Sequence, residues 1–148
     1  MDDVTHRERE NHPMLRGLTT VSLFADDVAA AARWYTEVLG VEPYFTRPLG
    51  EQELAYVEFR LGDHQHELGI IDSRFAPGPR PQHPGGAVTY WHVDDVEGAF
   101  ERLLSLGATV YEKPIERGPG FVTASVVDPY GNVLGVMYNQ HYLDMLSR

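Results

Sequence analysis

Glu67 and His92 are the two side chains of this sequence best suited to proton transfer. Each sits in a short run with alternating apolar residues, "HELGIID" and "AVTYWHV", so a strand can aim each one. Facing one pocket, a glutamate raised by burial and a histidine near neutral pH form an acid/base couple. Facing outward, they are a strand-edge acid and a rim histidine. His64 and His66, two apart in "GDHQHEL", either share a metal ion or mark an exposed hairpin end. A one-residue slip in register would put His66 in the place of Glu67. Arg47 and Arg60 suit an anionic group or a solvated strand end. Tyr44, Phe45, Tyr56, Tyr111 and Phe121 offer flat aromatic faces to a planar ligand, to the core or to a dimer contact.

These side chains need a scaffold, and the sequence shows one by repeating itself. "ADDVAAAARWYTEVLGV" echoes "VDDVEGAFERLLSLGATV", which points to a duplicated module rather than a solenoid. In both copies a β-branched and aromatic run, "LTTVSLFA" or "AVTYWHV", reads as a strand that leads into Asp-Asp-Val. An aspartate there can cap the helix that follows, and Asp94 with Glu97 three residues on has the spacing of a capping box. Val28, Ala31, Ala32, Tyr35, Val38 and Leu39 fall on one face of the first helix. Val96, Ala99, Phe100, Leu103 and Leu106 do so in the second. Gly40 and Gly107 stand where left-handed helix ends belong. Three strand candidates follow each helix, divided by Gly- and Pro-bearing turns.

Each half therefore reads β-α-β-β-β. The segments are a mobile tail at 1–16, a first module at 17–72, a Pro/Gly-rich linker at 73–86, a second module at 87–139 and a C-terminal tail at 140–148. With Val21 and Leu23 under the first helix, alternation turns Thr20, Ser22 and Phe24 to the other face, together with Glu67, Tyr90, His92 and Met137. Such a mixture of apolar and polar groups with few charges suits an organic ligand. Gly69 and Gly135 on that face leave room for ligand bulk.

Composition narrows the function classes. The 148 residues include no cysteine, which removes disulfides, thiolate nucleophiles and cysteine-held metals. A formal net charge of −10 argues against nucleic acid and anionic membranes as partners. No apolar run approaches the ~20 residues of a membrane span, and the polar start "MDDVTHRERENHP" is unlike a secretory signal. The expected compartment is the cytoplasm.

The tandem β-α-β-β-β pattern, "YTEVLGVEP" in the first half and "DPYGNVLGVMY" closing the second, resembles the glyoxalase / bleomycin-resistance / extradiol-dioxygenase (vicinal oxygen chelate) superfamily over roughly residues 17–139. The resemblance implies an α+β fold in which the tandem modules form a curved, cup-shaped mixed sheet with the helices outside. Metal-using members of that family draw ligands from the first and last strands of each half, positions that fall here on Thr20, Glu67, Val88 and Gly135. Only Glu67 is a good ligand, so no cofactor is expected at the usual place. A divalent metal remains open at a displaced site built from His66, Glu67 and His92.

The function this implies is binding of a small hydrophobic or aromatic metabolite or antibiotic, lined by Thr20, Ser22, Phe24, Phe45, Tyr56, Glu67, Tyr90, His92, Tyr111, Phe121 and Met137. The alternative is a lyase, isomerase or dioxygenase, using either the displaced metal or metal-free acid–base chemistry by Glu67 and His92. A homodimer is expected, with the cup formed within one chain or across two.

Overall fold

The computed structural model describes residues 13–148; most of the expected N-terminal tail lies outside them. The first half runs β1 (Thr20–Ala25), α1 (Val28–Leu39), β2 (Phe45–Leu49), β3 (Glu53–Leu61) and β4 (His66–Asp72). The second runs β5 (Thr89–His92), α2 (Val96–Ser105), β6 (Thr109–Gly118), β7 (Phe121–Val127) and β8 (Val133–Asn139). The stretch between them holds one 3-10 turn, Ser73–Phe75, and no strand. The last residues form a short helix, α3 (Gln140–Leu146).

Both long helices start on the second aspartate of the Asp-Asp pair. Asp27 accepts the Ala30 N–H at 3.0 Å and Asp95 accepts the Gly98 N–H at 3.0 Å, which satisfies donors that have no partner inside the helix. Glu97 is thus only the second helical residue, and the capping box expected from Asp94 does not form. Gly40 ends α1 at φ 70°, a left-handed conformation that favours glycine, and its N–H reaches the Thr36 carbonyl.

The strand orders are β1-β4-β3-β2 and β5-β8-β7-β6. In each sheet the first pair is parallel and the others are antiparallel. Each helix covers one face of its own sheet. Val28, Ala31, Ala32 and Tyr35 of α1 pack with Val57, Phe59, Leu68 and Ile70 of the first sheet, and Val96, Phe100 and Leu103 of α2 with Ala124, Val126, Leu134 and Val136 of the second. Burying each of the larger apolar side chains stabilises the fold by roughly 1.5–3 kcal/mol.

The α+β tandem of β-α-β-β-β modules is as expected, with one mixed four-stranded sheet in each half. The two halves are tied together at the end of β1. Asn132, in the Asp-Pro-Tyr-Gly-Asn turn before β8, accepts the Phe24 N–H at 3.3 Å and donates to the Phe24 carbonyl at 2.9 Å. A side chain thus takes the edge groups that a neighbouring strand would use. Asp128 of the same turn accepts the Tyr35 hydroxyl at 2.5 Å and the N–H groups of Tyr130 and Asn132 at 2.8 Å each. With the Trp34 indole donating to the Leu106 carbonyl at 2.8 Å, this turn latches one half to the other.

Candidate functional site

The helix-free face of the first sheet carries a linked set of ionisable groups. Register places Thr20, Glu67 and Arg60 side by side on β1, β4 and β3, and Ser22, Gly69 and Glu58 side by side in the next cup-facing row. Phe45 lies across from Glu58 on β2. The Tyr56 hydroxyl donates to Glu58 Oε1 at 3.0 Å and lies 3.4 Å from Glu67 Oε1. The Arg60 guanidinium stands 3.5 Å from Glu58 and 3.9 Å from Glu67. Both carboxyl groups are largely shielded from solvent.

Glu58 and Glu67 are shifted in opposite directions by their contact. The hydrogen bond to Glu67 raises Glu58, burial adding to the shift; the same bond holds Glu67 below the usual carboxylate range, helped by Thr20 and Arg60. This corrects the expectation that burial raises Glu67. Glu67 is therefore the more readily ionised of the two. Burial, and then Glu58, hold the Tyr56 phenol protonated well above its ordinary range.

The helix-free face of the second sheet is mostly neutral. Tyr90, Gly135 and Ser125 form one row, and His92, Met137 and Thr123 the next. Arg117 donates to Thr123 Oγ1 at 3.2 Å and to Glu112 at 2.6 Å near the outer edge. Phe121 and Tyr111 are exposed on β7 and β6. Val88 lies just before β5 rather than in it.

The two glycines do not leave the room predicted for them. A Cβ on Gly135 would stand 2.6 Å from Tyr90 Cδ1 and 2.9 Å from the Thr89 carbonyl oxygen. One on Gly69 would stand 2.7 Å from Tyr56 Cε2. Each glycine is a seat for a tyrosine ring of its own sheet. Of the positions that the resemblance marks for metal ligands, Gly135 is therefore under an aromatic ring, Val88 is aliphatic and Thr20 is a weak donor. This set does not fit a divalent cation. Among the described residues no three histidine, aspartate or glutamate side chains come together as a metal cluster.

Glu67 and His92 both border a cleft of about 190 Å³ where the sheets meet, with Leu18, Val21, Tyr90 and Met137. They make no hydrogen bond or ion pair with each other; each is engaged elsewhere. The Asn139 N–H donates to His92 Nδ1 at 3.2 Å, and the Tyr142 ring stacks on His92 with centroids 4.8 Å apart. His66 borders the same cleft and lies near Trp91, with ring centroids 6.4 Å apart. Thr20, Ser22 and Phe24 keep the predicted phase, and Phe45 and Tyr56 face each other with centroids 6.3 Å apart.

Sequence reasoning missed Glu58 and Tyr142. "YVEFR" carried the signal for the first, since Tyr56, Glu58 and Arg60 alternate on one face of β3. Nothing local signalled Tyr142, whose hydroxyl donates to Asp63 at 2.5 Å across the chain.

The sequence pattern of the Glyoxalase/Bleomycin resistance protein/Dioxygenase superfamily matches residues 17–136. Among solved structures, the chain is similar to a lactoylglutathione lyase from Agrobacterium tumefaciens, at 25% identity and TM-score 0.61, covering 88% of this chain and 98% of that one. It is also similar to a glyoxalase-related enzyme from Fulvimarina pelagi, at 20% identity and TM-score 0.66, covering 85% and 90%. TioX from Micromonospora sp. ML1 shares the fold at 17% identity and TM-score 0.63, covering 83% and 98%. No curated protein matches the chain.

Proposed function

The chain belongs to the Glyoxalase/Bleomycin resistance protein/Dioxygenase superfamily, and from that premise we propose that it binds a small hydrophobic or aromatic molecule, a metabolite or an antibiotic, without the metal site usual in the family. The observation that carries this reading is the Tyr90 ring seated on Gly135. It puts an aromatic surface where a metal-using relative would need a carboxylate. Met137 and Glu67 border the same cleft, and Phe45 and Tyr56 extend the aromatic surface along the first sheet. Flat rings beside a few fixed polar groups suit a planar organic ligand. The formal charge of −10 and the ionised Glu67 favour approach of a cationic one.

Thermal-shift screening with and without a chelator tests the reading. A ligand that binds the folded state raises Tm, and the expected shift is the same in both arms. Zinc, nickel, manganese or iron copurifying in stoichiometric amount, and lost in Glu67→Ala, overturns it.

A second reading, metal-free proton transfer, draws on the opposite shifts of Glu58 and Glu67. The group that ionises first suits a general base and the one that holds its proton longer suits a general acid. Turnover of a thermal-shift hit on extended incubation, abolished in Glu67→Gln, decides for it.

The homodimer belongs to the same proposal. Tyr44, Tyr111 and Ile115 are exposed at or beside the outer strands β2 and β6, where a second copy can cover them. Sedimentation equilibrium checks this, and a monomer at micromolar concentration rejects it.

A further inference from the structure

Arg80 is the only lysine or arginine among the described residues that is not exposed. It sits half-buried in the Pro/Gly-rich linker between the halves and forms no ion pair with a carboxylate of the described residues. Two of its N–H groups go to neutral oxygens, the Ser73 hydroxyl at 3.1 Å and the Tyr130 carbonyl at 3.0 Å. A guanidinium carries more N–H donors than these, and its Nε–H is among those left over. Nε is accessible, since His92 Nε2 is the only buried side-chain nitrogen or oxygen without a partner among the described residues. A partly desolvated cation with no counter-charge is costly to keep.

Arg80 borders a cavity of about 420 Å³ formed by the linker, the edge strand β1 and the turn before β8, and it is the only ionisable side chain there. Phe24 and Val133 give apolar wall from the two halves, and Pro79, Pro81 and Pro84 give it from the linker. Proline has no N–H, so the linker offers carbon surface and leaves the guanidinium as the charged donor of the cavity. Arg80 Cζ stands 5.9 Å from the centre of the Phe24 ring. Its bonds to Ser73 in one half and Tyr130 in the other fix the guanidinium in place. The size suits a compact organic molecule.

We propose that this cavity binds a small carboxylate with an apolar body, its oxygens accepting from the Arg80 guanidinium and its carbons against Phe24 and the prolines. Guanidinium and carboxylate are both planar and forked, which is why arginine recognises this group well. Glu67 does not border the cavity. The site asks for the opposite charge to the Glu67 cleft and does not rest on the function proposed above. A formal net charge of −10 repels anions in general, so a preference for an anion reports the local guanidinium.

The probes are benzoate, its neutral counterpart benzamide, and inorganic phosphate, titrated into the full-length protein at constant ionic strength and followed by NMR. Benzoate is expected to shift the Arg80 Nε–H resonance and the amides of Gly78, Gly85 and Gly131, which border the cavity. It should bind at least about tenfold more tightly than benzamide, the size of one charge-assisted hydrogen bond. Phosphate has the charge without the apolar body and should bind at least about tenfold more weakly than benzoate. Arg80→Gln should bring the benzoate and benzamide affinities together. Arg80 also ties Ser73 to Tyr130, so a second variant leaves it in place. Ala87→Leu, at an exposed position on the cavity border, should weaken benzoate and benzamide alike, while Glu67→Gln changes neither. Equal affinities for benzoate and benzamide in the unmodified protein, phosphate binding as tightly as benzoate, or benzoate binding unchanged in Ala87→Leu overturns the proposal. So does the absence of any perturbation at roughly 10 mM benzoate, tenfold above a Kd of about 1 mM. If Glu67→Gln removes benzoate binding, the molecule occupies the cleft and this cavity is not its site.

Discussion

The second cup-facing row of the first sheet reads Ser22, Gly69, Glu58, and the matching row of the second reads Tyr90, Gly135, Ser125. Both rows hold a glycine covered by a tyrosine ring, Tyr56 from β3 in one and Tyr90 from β5 in the other. Around that shared device the chemistry diverges. The first sheet gathers Glu58, Glu67, Arg60 and Tyr56, whereas the second presents Ser125, Thr123 and Met137. The helix-bearing faces do not diverge in this way, since each is a plain apolar core. Duplication supplied one packing solution twice, and the packing demand preserved it in both halves. The open faces carry no such demand.

The comparison breaks most severely at the latch between the halves. Asp128→Ala removes the acceptor of the buried Tyr35 hydroxyl and of two backbone N–H groups. The expected loss is on the order of 3 kcal/mol, since each buried polar group left unpaired costs about 1–3 kcal/mol. Urea unfolding measures it, and a loss under ~1 kcal/mol would show that the turn is not a latch.

Alanine at the two glycines is the next test. At Gly135 the new Cβ meets the Thr89 carbonyl as well as the Tyr90 ring, and backbone cannot yield cheaply. At Gly69 it meets only the Tyr56 side chain. Gly135→Ala should cost roughly 1–3 kcal/mol as an overpacked site, and Gly69→Ala less, with Tyr56 pushed off Glu58. The reverse order would mean that the two tyrosines are not seated as described.

Charge gives a smaller effect. Glu67→Gln takes away the charged neighbour whose hydrogen bond raises Glu58, so Glu58 should ionise nearer the usual carboxylate range. Carboxyl carbon NMR follows the titration, and an unchanged Glu58 would dissolve the pair.

The smallest effect concerns α3. The hydrogen bond to Asp63, then burial, push the Tyr142 phenol up to about 12. A raised phenol contributes stability that is complete below the unfolded value, about 10, and is lost as pH rises to about 12. Among the late-titrating phenols, which include Tyr35 and Tyr56, tyrosinate absorbance should show one that moves toward ~10 in Asp63→Asn.

The sequence was sufficient for the elements and for the phase of most side chains. Strand alternation placed Thr20, Ser22, Phe24 and Glu67 correctly on one face, and helical spacing found Tyr35 in the core at 1% exposure. Both rest on local periodicities that the chain cannot escape. Glu58 was legible by the same rule, two residues from Tyr56 and from Arg60. Local patterns did not reveal which carboxylate is raised and which lowered, what covers Gly135, or that His92 lies under Tyr142. Each depends on groups far apart in the chain: Glu58 with Glu67, Asp63 with Tyr142. Periodicity tells a residue which face it occupies. Only the pairing of strands and the docking of α3 decide what it meets there, and a group's protonation or its free space is a property of that meeting.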